Sequence, residues 1–199
     1  MIVLVADANM EFAVQGILKR TSALAIRSPT FDIFVHPEHD PGCLRRAGEF
    51  LRSAGGERRY VHALVLFDRR GCGRDLESRV QLEAAVEEQL HPDWSAQASA
   101  IALDPELESW VWSDSPHVES ILGWEGKDLR SWLEGKGLLN KGQAKPPDPK
   151  MAVESALREV GKQRSSVLFR RLAEKVSLQR CTDESFVKLK ATLVRWFKA

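Results

Sequence analysis

Ile2-Val3-Leu4-Val5-Ala6-Asp7-Ala8-Asn9-Met10-Glu11-Phe12 opens on a continuous β-branched and leucine run that stops at an acid. Phe12, Val14, Ile17 and Leu18 then recur at helical spacing, with Asn9 or Asp7 available as an N-cap. The stretch reads as strand, tight turn and helix, and the unit returns further along the chain. Phe31–Val35 is a second strand, followed by the turn-rich His36-Pro37-Glu38-His39-Asp40-Pro41-Gly42 and a helix from about Cys43 to Ala54. Val61–Phe67 is a third strand ending at Asp68. After Gly71-Cys72-Gly73, residues Leu76–Leu90 place Leu76, Val80, Leu82 or Ala84, and Val86 on one amphipathic stripe. Ala98–Leu103 is a fourth strand ending at Asp104, and Pro105 suits the first turn of a helix carrying Leu107, Trp110 and Val111. Four strand-then-helix units predict an α/β fold, a largely parallel four-stranded sheet flanked by helices.

From Pro116 onward every apolar spacing is helical. Asn140–Pro149 reads as an exposed loop, with helices at about Lys150–Val160, Ser165–Val176 and Thr182–Phe197. The expected organisation is therefore an α/β domain over 1–115 and a helical extension over 116–199 packed on it. A chain of 199 residues, 43% hydrophobic, suffices for one sizeable core. Its net charge of +1 hides a division: residues 1–125 carry 12 Lys and Arg against 20 Asp and Glu, whereas 126–199 carry 17 against 8. Such a basic half either faces a polyanion or simply solvates its helices. Cys43, Cys72 and Cys181 are odd in number and form no C-x-x-C pair, which argues against a disulfide framework or a cysteine zinc site. No apolar run approaches the length of a membrane span, and Asp7 interrupts the apolar start before a secretory h-region would be complete. These features predict a cytoplasmic protein without membrane partners.

In an open parallel sheet, ligands bind at the carboxyl ends of the strands. Asp7, His36, Asp68 and Asp104 fall at or just past those ends, with Glu11 in the first helix and Glu106 and Glu108 beyond the fourth strand. Clustered carboxylates repel one another unless a hard cation neutralises them, which predicts Mg²⁺ or Mn²⁺. Taken singly, each strand-end Asp serves as well as a helix cap. His36-x-x-His39-Asp40 resembles a small metal constellation, but the flanking prolines fix no common face, and His36 alone suits proton transfer or phosphate contact. Gly71-Cys72-Gly73 lacks the third glycine of a dinucleotide fingerprint, so its glycines are expected to serve positive φ and close backbone approach. Trp110, Trp112, Trp124 and Trp132 recur with Leu107, Val111 and Leu133 in the manner of core packing.

Val3-Leu4-Val5-Ala6-Asp7, Leu64-Val65-Leu66-Phe67-Asp68 and Asp104-Pro105-Glu106-Leu107-Glu108-Ser109-Trp110 together resemble the Toprim-like proteins of prokaryotic defence islands, in particular the small ones with a "PELEAW" segment. The likeness is nearest to a component of methylation-associated antiphage defence systems, and by pattern it covers about residues 1–115. It implies metal held by Asp7, Asp68 and Asp104, and catalysis of phosphodiester cleavage by Asp68, Asp7, Glu11, Glu106 or Glu108. It also implies nucleic acid and further defence subunits as partners. Candidate nucleic-acid contacts are Arg69, Arg70, Arg74, Arg164, Arg170, Arg171 and Lys175. The chain departs from the family's Asp-x-Asp, which here reads Asp68-Arg69-Arg70. Loss of that second aspartate sets a metal-dependent nuclease against a non-catalytic adaptor that keeps the fold and binds nucleic acid or protein.

Overall fold

A computed structural model describes residues 1–56, 60–113 and 115–199. Four strands, β1 (Ile2–Val5), β2 (Asp32–Val35), β3 (Ala63–Asp68) and β4 (Ala98–Leu103), form one all-parallel sheet in the order β2-β1-β3-β4. In register, Val5 lies beside Val35 and Leu66, and Asp68 beside Leu103. Residues 2–5 and 63–67 are buried throughout, because a parallel sheet is covered on both faces. The chain leaves β1 toward one edge and returns past it to β3. Two neighbouring strands, β1 and β3, therefore end beside a topological switch point.

Helix α1 (Ala8–Leu18) is capped by Asp7, whose carboxylate accepts the Met10 N–H at 2.8 Å. A short α2 (Thr21–Leu24) precedes β2, α3 (His39–Gly55) precedes β3, and α4 (Arg79–Trp94) precedes β4. The extension supplies α5 (His117–Leu122), α6 (Leu129–Gly135), α7 (Pro149–Glu159), α8 (Ser166–Lys175) and α9 (Glu184–Trp196). Right-handed crossovers put α3 and α4, which pack together, on one face of the sheet and α1 on the other. There α1 meets α8 over its length. Gly16 permits that approach, since a Cβ at this position would stand 2.8 Å from Ala173 Cβ. One apolar cluster runs from the sheet into α5–α9.

Three expectations are corrected. The segment after Pro105 is a single 3₁₀ turn, Leu107–Trp110, entered through an extended Glu106; it buries Leu107, Trp110 and Val111 without a full helix and turns two glutamates inward as well. Helix α4 starts three residues later than Leu76, where the Ser78/Gln81 capping box satisfies its first N–H groups. Leu76 and Val80 are exposed and outside the stripe, and the core takes Leu82, Val86 and Leu90. Helix α3 begins at His39, ahead of Cys43, because Pro41 is tolerated in a first turn. The tryptophans pack as expected, and their indole N–H groups pin the extension. Trp110 donates to Ser185 Oγ at 2.8 Å, Trp112 to the Pro149 carbonyl at 3.0 Å and Trp124 to the Ala156 carbonyl at 3.1 Å.

The β4 edge is closed by side chains. Glu87 accepts the Ala100 N–H at 3.0 Å and Glu83 the Ala102 N–H at 3.1 Å, so two glutamates one helical turn apart serve two outward N–H groups of a strand. Lys188 of α9 bridges both carboxylates, at 3.1 and 2.8 Å, and Arg79 holds Glu83 at 2.7 Å. Because Glu83 is 3% exposed, its removal would leave an N–H group and two cations without their shared partner. Glu83→Ala is expected to lower unfolding stability by about 3–5 kcal/mol in a urea titration, and Glu83→Gln by less, since the amide oxygen still caps Ala102.

Candidate acidic site at the switch point

Asp68 is the last residue of β3. Its backbone N–H donates to Asp40 Oδ1 at 2.7 Å, which ties the first turn of α3 to the strand end. Its own Oδ1 is enclosed and has no hydrogen-bond partner. Burial raises the Asp68 carboxyl well above the usual carboxylate range, and the charges of Asp40, Glu108, Asp7 and Glu106 push it further in that order. Asp40 is itself raised by burial, against the opposing pull of the Asp68 N–H. Glu106 is raised by burial and by Glu108, and lowered by Arg70.

Five acids from four segments thus bear on one place: Asp7 after β1, Asp40 after β2, Asp68 at the end of β3, and Glu106 and Glu108 after β4. The extension completes the surroundings. Glu106 accepts from Arg70 at 3.1 Å and from the Lys150 N–H, in the first turn of α7, at 3.3 Å. Glu108, buried to 1% exposure, is held by Arg164 through Nη2 at 2.6 Å and Nε at 3.0 Å. Arg70 also reaches Asp148, the N-cap of α7, at 3.2 Å. Asp104 turns instead to Arg69 at 2.8 Å, and Glu11 accepts from Gln15 within α1 at 3.0 Å. Among the described residues no three His, Cys, Asp or Glu side chains are grouped in a form that could hold a metal ion.

The histidines take separate roles. His36 is buried, accepts the Glu38 N–H at 3.0 Å and lies 4.7 Å from the Phe50 ring; burial lowers its pKa and favours the neutral form. His39 is exposed, with φ of +51°, and its Nδ1 lies 3.0 Å from the Ala6 carbonyl. The Gly71-Cys72-Gly73 turn has φ of +89° and +87° at its glycines, and Gly71 N–H donates to the Asp75 carboxylate at 3.1 Å. This turn encloses a side chain of its own loop. Of the candidate cations, Arg69, Arg70, Arg74 and Arg164 are in ion pairs, Arg170 lies 5.1 Å over the Phe12 ring, and Arg171 and Lys175 are exposed. Asp40 was legible only as the tail of the His-x-x-His pair. The signal that singles it out is position, since it follows the second strand as Asp7 follows the first.

Compared with protein-family models, with curated proteins and with solved structures, the chain matches none.

A carboxyl raised above its unfolded value binds its proton more tightly in the folded state, so its contribution to stability is lost as pH rises from the ordinary aspartate range through the folded pKa. Asp68→Asn removes that liability. Its melting temperature is expected to exceed that of the wild type at pH 7–8, with the gap narrowing toward pH 4. Equal melting curves across that range would show that Asp68 carries no such burden.

Proposed function

We propose that this chain is a Toprim-like component of a prokaryotic antiphage defence system whose acidic site binds Mg²⁺ or Mn²⁺ and cleaves phosphodiester bonds of nucleic acid. The observation that carries this reading is the enclosed, unpartnered Asp68 Oδ1 at the switch point of a parallel sheet, on a carboxyl whose pKa is raised first by burial and then by four other carboxylates. An all-oxygen acid set fits a hard divalent cation better than a transition metal. Asp68 would be its first ligand, and Asp7, Asp40 and Glu106 or Glu108, which are not grouped for a metal beforehand, would have to be drawn toward it. Such a cation polarises a bound phosphate and lowers the pKa of a coordinated water. The protein's own contribution is to keep Asp68 rigid through the Asp40 hydrogen bond and to place Arg70 and Arg164 beside the acids. The exposed Arg171 and Lys175 on α8 offer contacts for a phosphate backbone.

A second reading, a non-catalytic adaptor for nucleic acid or a protein subunit, has one specific observation in its favour. Arg70 stands where the Asp-x-Asp motif has its second acid, and with Arg164 it already neutralises both glutamates. The two readings separate in a cleavage assay on single- and double-stranded DNA and RNA with Mg²⁺ or Mn²⁺. Asp68→Asn is expected to abolish cleavage while remaining folded, and Asp40→Ala to reduce it at least tenfold by leaving the Asp68 N–H without its partner. Residual cleavage identical in wild type and Asp68→Asn would leave the adaptor. Nucleic-acid affinity should in either case fall steeply with added salt; a flat dependence would point to a protein partner.

A further inference from the structure

The helical extension holds a groove of about 850 Å³, bounded by α5, α6 and the loop segments around Lys145 and Arg180. Small-molecule sites occupy about 300–1,000 Å³. Leu129, Leu133 and Leu139 line the groove, each at most 3% exposed. Its charge is one-sided: among the described residues Arg130, Lys145 and Arg180 line it against a single acid, Glu119. Arg130 donates to the Gln143 carbonyl, and Lys145, two residues further on, holds Asp183 at 2.6 Å. Asp183 also accepts from Trp110 at 3.2 Å and from the Ser185 N–H at 3.1 Å, so a second anion can share Lys145 without leaving Asp183 unpaired. Trp112 lines the groove half-buried, its indole N–H fixed to the Pro149 carbonyl at 3.0 Å. Ser113 lines it as well, and its enclosed Oγ has no hydrogen-bond partner.

From this lining we infer that the groove is a nucleotide-binding site, in which the base stacks on Trp112 and the phosphates meet Arg130, Lys145 and Arg180. The ligand must combine an anionic end with an apolar body. An acyl chain would supply both but would set the Ser113 hydroxyl and the Glu119 carboxylate against hydrocarbon, which costs free energy. A nucleobase stacks on an indole and presents donors and acceptors at its edge, so those two side chains gain partners. Guanidinium groups match phosphate oxygens in pairs, which suits the basic rim to the other end of the molecule. The inference is independent of the acidic site at the sheet edge and requires no metal.

The test is equilibrium dialysis of the full chain in EDTA with ADP and GDP as probes, and with adenosine and pyrophosphate as competitors. At least one nucleotide is expected to bind one to one, and at least tenfold more tightly than either competitor, since each competitor carries only half of the recognised chemistry. The double variant Arg130→Gln/Arg180→Gln should weaken nucleotide binding at least tenfold. Trp112→Leu should do the same, whereas Trp112→Phe, which also loses the N–H but keeps a ring, should retain it; the pair separates stacking from a structural role, and thermal melts check that each variant is folded. Asp68→Asn should bind as wild type does. Nucleotides that bind no better than pyrophosphate, or equally well to Trp112→Leu and Trp112→Phe, would reduce the groove to an unselective anion surface and overturn the inference. Binding lost in Asp68→Asn would assign it to the acidic site instead, and no binding of ADP or GDP would overturn it outright.

Discussion

The hydrogen bond from the Asp68 N–H to Asp40 Oδ1 joins the end of an interior strand to the first turn of α3, and it does so by placing one carboxylate against another. Asp68 cannot be moved into water without breaking β3, whose five preceding residues are buried. Asp40 cannot be withdrawn without leaving a strand-end N–H unpaired. The repulsion is therefore built into the backbone geometry, and the protein answers it in two ways: Asp68 holds its proton tightly, and cations are drawn in from elsewhere in the chain. The extension delivers one of them, since Arg164 precedes α8, and with Lys150 it also brings the N-terminal turn of α7 onto Glu106. The docking of α8 on α1, made close by Gly16 and Ala173, thereby sets the electrostatics of the sheet edge.

A contrast within the molecule shows that carboxylates are used in two different ways. Glu83 and Glu87 are also buried or half-buried beside a strand, but each accepts a backbone N–H, and Lys188 and Arg79 hold them from both sides. Their hydrogen-bond capacity is filled. Asp68 Oδ1, at the other boundary of the sheet, has none of this. Stability alone would favour satisfying that oxygen or replacing the side chain with an apolar one.

The four parallel strands were legible because burial on both faces demands unbroken apolar runs, and Leu64–Phe67 and Ile2–Val5 are such runs. The acids at their ends were legible from the same topology, which brings strand ends to one edge. What periodicity could not show was the fate of the segment after β4. Leu107, Trp110 and Val111 have helical spacing, yet one 3₁₀ turn suffices to bury them because α9 supplies Phe186 and Ser185 as partners. The arginine pairs were equally hidden. Arg70 and Glu106 are 36 residues apart and Arg164 and Glu108 are 56 apart, so no local pattern records them. Arg70 was visible only as a missing aspartate, and its positive role appears once the fold sets it against Glu106.

That substitution alters the logic of the site. An aspartate two residues after Asp68 would add a sixth carboxylate to a place already crowded with five, and a cation would then be needed for the fold to tolerate it. An arginine there neutralises Glu106 internally. The extension carries a second arginine to the same edge, so the arrangement is a property of the whole chain. Neither arginine could be taken from this edge without leaving a buried glutamate uncompensated, so the extension and the sheet are joined by charge as well as by packing.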